Sequence, residues 1–263
     1  MKKYPHRPTA FVLLSTDQGS LLVNRFDYRI VGEGGYGVGF SLLNQSSFEV
    51  EEINTVLQLL ETRRQNFGSS VIAIDCGANI GVHTVEWASY MYGWGEVIAF
   101  EPQERIYYAL AGNITMNNCF NAKALMCAVG KENSKIDIPQ PNYFTPSSFG
   151  SLEIIKKDGN EFIGQQIDYS SVNCHSVPLI TIDSLELKRI DLIKIDIEGM
   201  EIDALLGAAA SINQFKPILV IEKIKSNEEE LKRFAIEMGY KIFYLGINIV
   251  AIHKDDPASN LIN

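Results

Sequence analysis

The sequence predicts a doubly wound α/β sheet, and three observations carry that prediction. Between residues 71 and 238, short apolar runs alternate with amphipathic stretches of helical length, the pattern of a parallel sheet with crossover helices. Four of the predicted strands end in a carboxylate: Asp75, Glu101, Asp196 and Glu222. A turn containing glycines, Asp75-Cys76-Gly77-Ala78-Asn79-Ile80-Gly81, joins the first strand of this series to the helix after it.

Residues 11–26 read as a β-hairpin turning at Asp17-Gln18-Gly19-Ser20, because a glycine after a polar pair supplies the positive φ of a tight turn. The glycine-dense stretch 32–39 lacks a strand-to-helix context, so it reads as a flexible or close-packed connector rather than a phosphate cradle. Residues 51–64 place Ile53, Val56, Leu57, Leu59 and Leu60 at helical spacing, as for a helix covering the sheet edge.

Strand 71–75, helix 80–91, strand 97–100, helix 105–117 and strand 122–129 follow in strict alternation. Residues 138–178 are rich in Pro, Ser, Asn and Gly and too long for an ordinary connection, so they read as an insertion or lid where substrate specificity would reside. Alternation resumes with strand 192–196, helix 201–212, strand 218–222 and helix 228–238. Strands 241–245 and 248–253, joined at Gly246-Ile247, read as a closing hairpin. The expected organisation is a hairpin-and-helix extension over residues 1–66 and a ligand-binding domain over 67–263.

A chain of 263 residues suits one such domain with a short extension. Its composition, 46% hydrophobic and 21% charged, is that of a globular protein. The net charge of −9 repels polyanions, so nucleic acid is not an expected partner. Cys76, Cys119, Cys127 and Cys174 form no C-x-x-C pair and accompany no histidine cluster, which predicts reduced thiols, a cytoplasmic location and no metal. Met1-Lys2-Lys3 resembles a leader n-region, but the apolar run after it, at residues 10–14, is too short for a secretory core, and no segment is long enough to span a bilayer.

In an open parallel sheet, ligands bind beyond the carboxyl ends of the strands, so the four terminal acids should share one rim. The loop 75–81 is not G-x-G-x-x-G. An acid at its head would repel the pyrophosphate of a nicotinamide cofactor, and there is no Tyr-x-x-x-Lys pair to relay a proton, although an oxidoreductase of that type remains the alternative enzyme class. S-adenosylmethionine has no phosphate and carries a sulfonium and an ammonium, which an acidic loop tolerates. Glu101 is placed to accept from two ribose hydroxyls, a role an acid also plays in dinucleotide folds.

Several segments together resemble the successive motifs of FkbM-type methyltransferases. They are Ile74 with the loop after it, Ala99-Phe100-Glu101-Pro102, residues 113–117, Thr181-Ile182-Asp183-Ser184-Leu185, and Ile193-Lys194-Ile195-Asp196-Ile197-Glu198-Gly199-Met200-Glu201. The resemblance implies a Rossmann-like, seven-stranded class I sheet with one antiparallel strand, S-adenosylmethionine as donor, and commonly a hydroxyl of a sugar or polyketide-like molecule as acceptor. It makes Asp75, Gly77, Asn79 and Gly81 the cofactor loop and Glu101 the ribose clamp. Val82-His83-Thr84 departs from the family pattern after Gly81, and Leu125-Met126-Cys127-Ala128 lacks an acid for an adenine amino group.

Methyl transfer to a hydroxyl needs an aligned acceptor oxygen and a group that takes its proton. Asp196 is the first candidate, with Lys194, two residues earlier on the same strand face, holding it ionised. Glu222 could contact an acceptor hydroxyl, and His83, beside the cofactor loop, is a further candidate base. Glu198 and Glu201 enter the next helix, where capping accounts for them, and Glu198 is kept as a candidate acceptor contact. A binding module that has lost its chemistry is the non-enzymatic alternative. The expected acceptor is a sugar or glycan hydroxyl, ahead of a small secondary metabolite, and the N-terminal hairpin offers an edge for a homodimer or a wall for substrate.

Overall fold

The computed structural model describes residues 8–260. The Met1-Lys2-Lys3 start lies outside the described residues. β1 (Phe11–Thr16) and β2 (Gly19–Asn24) form the expected hairpin. The stretch predicted as a connector contains a second, short hairpin, β3 (Arg29–Val31) with β4 (Gly34–Tyr36), and then helix α1 (Val38–Gln45). Strands of three residues lie below any alternation signal. At Gly37, with φ +130°, a Cβ would stand 2.7 Å from the Asp27 carbonyl oxygen, so this stretch is tightly packed.

α2 (Val50–Phe67) leads into β5 (Val71–Cys76), α3 (Val82–Tyr90), β6 (Gly95–Phe100), α4 (Glu104–Met116) and β7 (Ala122–Leu125). The strand predicted over 122–129 divides after Leu125. β8 (Ala128–Val129) leaves the main sheet and joins β9 (Ser134–Pro139) and β10 (Cys174–Ile180) in a three-stranded sheet of order β8-β10-β9. The insertion is therefore shorter than expected, because its two ends pair with each other as antiparallel strands.

β11 (Leu192–Ile195) follows. The helix predicted over 201–212 is two helices, α5 (Glu201–Leu206) and α6 (Ala209–Phe215). The break falls at Gly207, where a Cβ would meet the Gly130 carbonyl oxygen at 2.0 Å, and α6 has its own cap: Asp183 accepts from the Ala210 and Ser211 N–H groups at 3.0 and 2.7 Å. β12 (Ile218–Glu222), α7 (Glu228–Glu237), β13 (Tyr240–Leu245) and β14 (Asn248–His253) complete the chain.

The main sheet has seven strands in the order β13-β14-β12-β11-β5-β6-β7, with β14 antiparallel to both neighbours. The order reverses between β5 and β11, and that switch point is where a doubly wound sheet opens a crevice. Helices cover both faces. Val71 and Ala73 of β5 pack toward α2, α3 and α4, whereas Ile74 and Cys76 pack toward α5, α6 and α7. Among the described residues no helix is long and apolar enough to cross a membrane. All four cysteines are free thiols.

Two asparagines from the 113–117 motif fasten the extension to this sheet. Asn113 accepts from the Leu22 N–H at 2.6 Å and donates to the Ile80 carbonyl at 2.7 Å, while Asn117 accepts from the Ser20 N–H at 3.0 Å and donates to its carbonyl at 2.9 Å. They stand in for a neighbouring strand along the side of β2 that does not pair with β1.

Behind the sheet, Arg63 joins Asp191 at 3.1 Å and Asp256 at 2.5 Å, all three buried, and Arg189 adds two bonds to Asp191 at 2.7 and 2.9 Å. Removing one partner of such a group leaves uncompensated buried charge. Arg63→Met is therefore expected to cost about 3–5 kcal/mol in urea-induced unfolding.

Candidate active site

The carboxyl ends of β5, β6, β11 and β12 open onto a cavity of about 760 Å³, walled also by the β3–β4 hairpin and by residues 148–161 of the insertion. Asp75, Gly77, Asn79, His83, Glu101, Asp196 and Glu222 all line it. The sequence placed the four acids among them on one rim, and the fold brings those four to the cavity.

Asp75 is buried at the end of β5. One of its oxygens accepts from the Thr84 hydroxyl at 2.6 Å, and Oδ1 has no partner. A buried carboxylate oxygen facing a cavity with nothing to accept from marks a place for a ligand donor. The loop after it turns through positive φ at Gly77 (+82°), Asn79 (+51°) and Gly81 (+88°). The space a side chain would fill at Gly77 is taken by the Asp196 carbonyl oxygen, 1.8 Å from an added Cβ, and at Gly81 by Leu110, at 2.5 Å. These glycines thus serve the fold's own close approaches; Gly81 heads α3 and does not line the cavity.

Glu101 is buried just past β6. Its oxygens accept from the Asn79 N–H at 3.0 Å and the Gln103 N–H at 2.8 Å, so the side chain is fixed with lone pairs to spare. Burial pushes its carboxyl up to about 7; the two amide hydrogen bonds oppose this only in part, and Asp75 and Asp196 add to the rise.

Asp196 follows β11 and receives a hydrogen bond from the Lys194 ammonium at 2.8 Å. Lys194 is buried; burial disfavours its charge, but Asp196, Glu52, Asp75 and Glu49 outweigh that and hold its pKa well above the usual lysine value. The Asp196 side chain keeps 31% exposure, enough to meet a ligand in the cavity. Glu222 is buried at the end of β12 with Oε2 unpartnered, and burial, followed by the Asp196 and Glu201 charges, pushes it up to about 8.

Glu198 departs from the capping expectation, whereas Glu201 meets it. Glu201 does brace the turn, accepting from the Ile197 and Gly199 N–H groups at 3.1 Å. Glu198 instead turns into the cavity through a backbone with φ +58° and pairs with Lys225 at 2.6 Å.

Several cavity residues carried no sequence signal. Glu161 of the insertion is held by Arg29 at 2.9 Å, by the Tyr36 hydroxyl at 2.6 Å and by Lys225 at 3.1 Å, closing the rim across three distant segments. His83, by contrast nominated from the sequence as a candidate base, lies buried against Trp87, ring centroids 5.6 Å apart, with Nε2 3.0 Å from Glu49. Spacing cannot find partners separated by 132 residues, as Arg29 and Glu161 are.

A family model described as the methyltransferase FkbM domain matches residues 75–242. Methyltransferase sdnD of Sordaria araneosa is 27% identical over 162 residues, which cover 54% of this chain and 62% of that protein. Methyltransferase 1 of Beauveria bassiana (strain ARSEF 2860) is 27% identical over 149 residues, covering 54% and 59%. The chain thus spans about three fifths of the length of the curated relatives it matches. The crystal structure of methyltransferase FkbM from Methylobacillus flagellatus KT superposes with a TM-score of 0.49 at 19% identity, covering 70% of this chain and 44% of that one.

Proposed function

The chain belongs to the FkbM methyltransferase domain family, and on that premise we propose that it moves a methyl group from S-adenosylmethionine to a hydroxyl oxygen of a sugar or glycan. The observation that carries this reading is the acidic rim, above all a fixed Glu101 and an Asp75 with one buried oxygen unpartnered. Both fit a ligand that brings a ribose diol and positive charge. A nicotinamide cofactor is displaced as an alternative by the family.

When bound, S-adenosylmethionine supplies a methyl group on a sulfonium, open to in-line displacement. Glu101 would hold the ribose hydroxyls, and Asp75 the amino group. Asp196 would take the acceptor's proton, with the Lys194 hydrogen bond fixing the carboxylate in place. Glu222 would orient the acceptor through a second hydroxyl. Labelled-methyl transfer from the donor to a panel of sugars, read as one added methyl in the product's mass, tests the proposal.

One observation favours a second acceptor class. Val31, Ile224 and Ile247 line the cavity while remaining 55%, 60% and 44% exposed, an apolar lip suited to a small hydroxylated metabolite. Including such compounds in the panel separates the two.

Donor binding is also expected to depend on pH. The ribose clamp works as a carboxylate, and Glu101 in the free protein is half protonated near pH 7. Binding should therefore select the carboxylate form, release protons and weaken by about fivefold from pH 7 to pH 6. Calorimetry in two buffers of different ionisation heat measures the release. Without ligand the sign reverses: a raised carboxyl adds stability at low pH that is lost as pH rises through about 7.

A further inference from the structure

We infer that Glu49, Glu52 and His83 form a binding site for one divalent transition-metal ion at the edge of the cavity. The inference is independent of the methyl-transfer reading. Glu49 precedes α2, Glu52 lies in its first turn and His83 lies in the first turn of α3, so the three come from two helices whose N-terminal ends meet. Each offers a ligand atom, and these atoms lie within 4.8 Å of one another.

The second observation is a concentration of unmet polar atoms. Glu52 and His83 are both more than nine-tenths buried, and Glu52 Oε1 and both ring nitrogens of His83 make no hydrogen bond of ordinary geometry. Leaving a buried polar atom unpaired costs about 1–3 kcal/mol, and an ion held by one ring nitrogen and Glu52 Oε1 would satisfy two of these three. The other oxygen of Glu52 accepts from the Asn248 amide at 2.5 Å, which leaves Oε1 directed toward His83 Nδ1, 3.8 Å away. An outer partner that orients a ligating carboxylate in this way is the usual support of a metal site.

The available cation does not fill the role. The Lys194 ammonium attracts Glu52 through space, but its hydrogen bond goes to Asp196. An imidazole with two carboxylates suits a borderline ion such as Zn²⁺, Mn²⁺ or Co²⁺. With metal–ligand bonds of roughly 2.0–2.2 Å, neighbouring donors on one ion stand roughly 3 Å apart, as Glu49 Oε2 and His83 Nε2 do at 3.0 Å. Glu49 and His83 line the cavity, so positions the protein leaves vacant on the ion would open into it. Spacing in the sequence misses this set because 30 or more residues separate the glutamates from the histidine.

Co²⁺ titration of the full-length protein, followed by visible ligand-field absorption, tests the site. One equivalent of Co²⁺ is expected to bind with the spectrum of an N/O site. Glu52→Gln, which keeps the shape and a contact to Asn248, should weaken it by roughly tenfold or more, as should His83→Phe, which preserves the ring's packing. Thermal unfolding of both variants checks that they fold. Glu222→Gln should leave the Co²⁺ spectrum unchanged. No spectrum at millimolar Co²⁺, or one lost with Glu222→Gln but kept in Glu52→Gln, would overturn the assignment; the first would leave only an imidazole–carboxylate pair, and the second would move the ion to the acids beside Asp196.

Discussion

Glu101→Ala is expected to weaken S-adenosylmethionine binding by roughly 10²- to 10⁴-fold. Two hydrogen bonds from a ribose to an ionised acceptor contribute about 1.5–3 kcal/mol each, and each 1.4 kcal/mol is about a factor of ten in affinity. The loss should exceed the two bonds alone, because Glu101 also holds the Asn79 and Gln103 amides and so shapes the loop. Glu101→Gln separates the effects. Its amide oxygen can satisfy one of the two backbone donors and its NH₂ cannot accept at all, so an intermediate loss is expected. Titration calorimetry of the three proteins measures the series, and equal affinity in all three would remove Glu101 from the site.

Asp196→Asn is expected to lower turnover by roughly 10²- to 10⁴-fold while changing donor affinity only a few-fold. Asparagine keeps the shape and can still accept from Lys194, but it cannot take a proton. Single-turnover transfer of labelled methyl to an acceptor found in the screen gives the chemical step directly. If Asp196→Asn keeps wild-type turnover and Glu222→Gln loses it, the proton goes to Glu222, which must be ionised to take it, so turnover should then rise as pH approaches about 8.

The main sheet was legible because its evidence is local. A buried parallel strand is largely apolar, and β5, β6, β11 and β12 are, apart from Glu96 in β6 and Lys194 in β11, with an acid at or just past each end. Once the topology is fixed, those acids have no choice but to share a rim, so Asp75, Glu101, Asp196 and Glu222 could be nominated without knowing a distance. The Lys194–Asp196 pair was legible for a similar reason, since residues two apart on a strand share a face.

What escaped depends on contacts between distant segments. The end of β7 and the separate strand β8 look continuous in sequence, because apolar residues run through both; only the pairing of Ala128 and Val129 with Leu179 and Ile180 divides them. The break between α5 and α6 is dictated by Gly130 and Asp183, far from the helices themselves. Glu198 looked like a dipole-favoured helix start, yet a positive φ turns it to Lys225, and no residue pattern announces that. Arg29, Glu161 and Lys225 are individually ordinary surface charges. Their meeting at the cavity rim is a property of the insertion's path.

Calorimetric titration of the wild-type protein with S-adenosylmethionine, with NAD as control, bears most directly on what the cavity is for. Micromolar binding of one donor per chain, with no heat from NAD, is the expected result. Tight NAD binding with no heat from S-adenosylmethionine would contradict the assignment of this acidic cavity to a methyl donor.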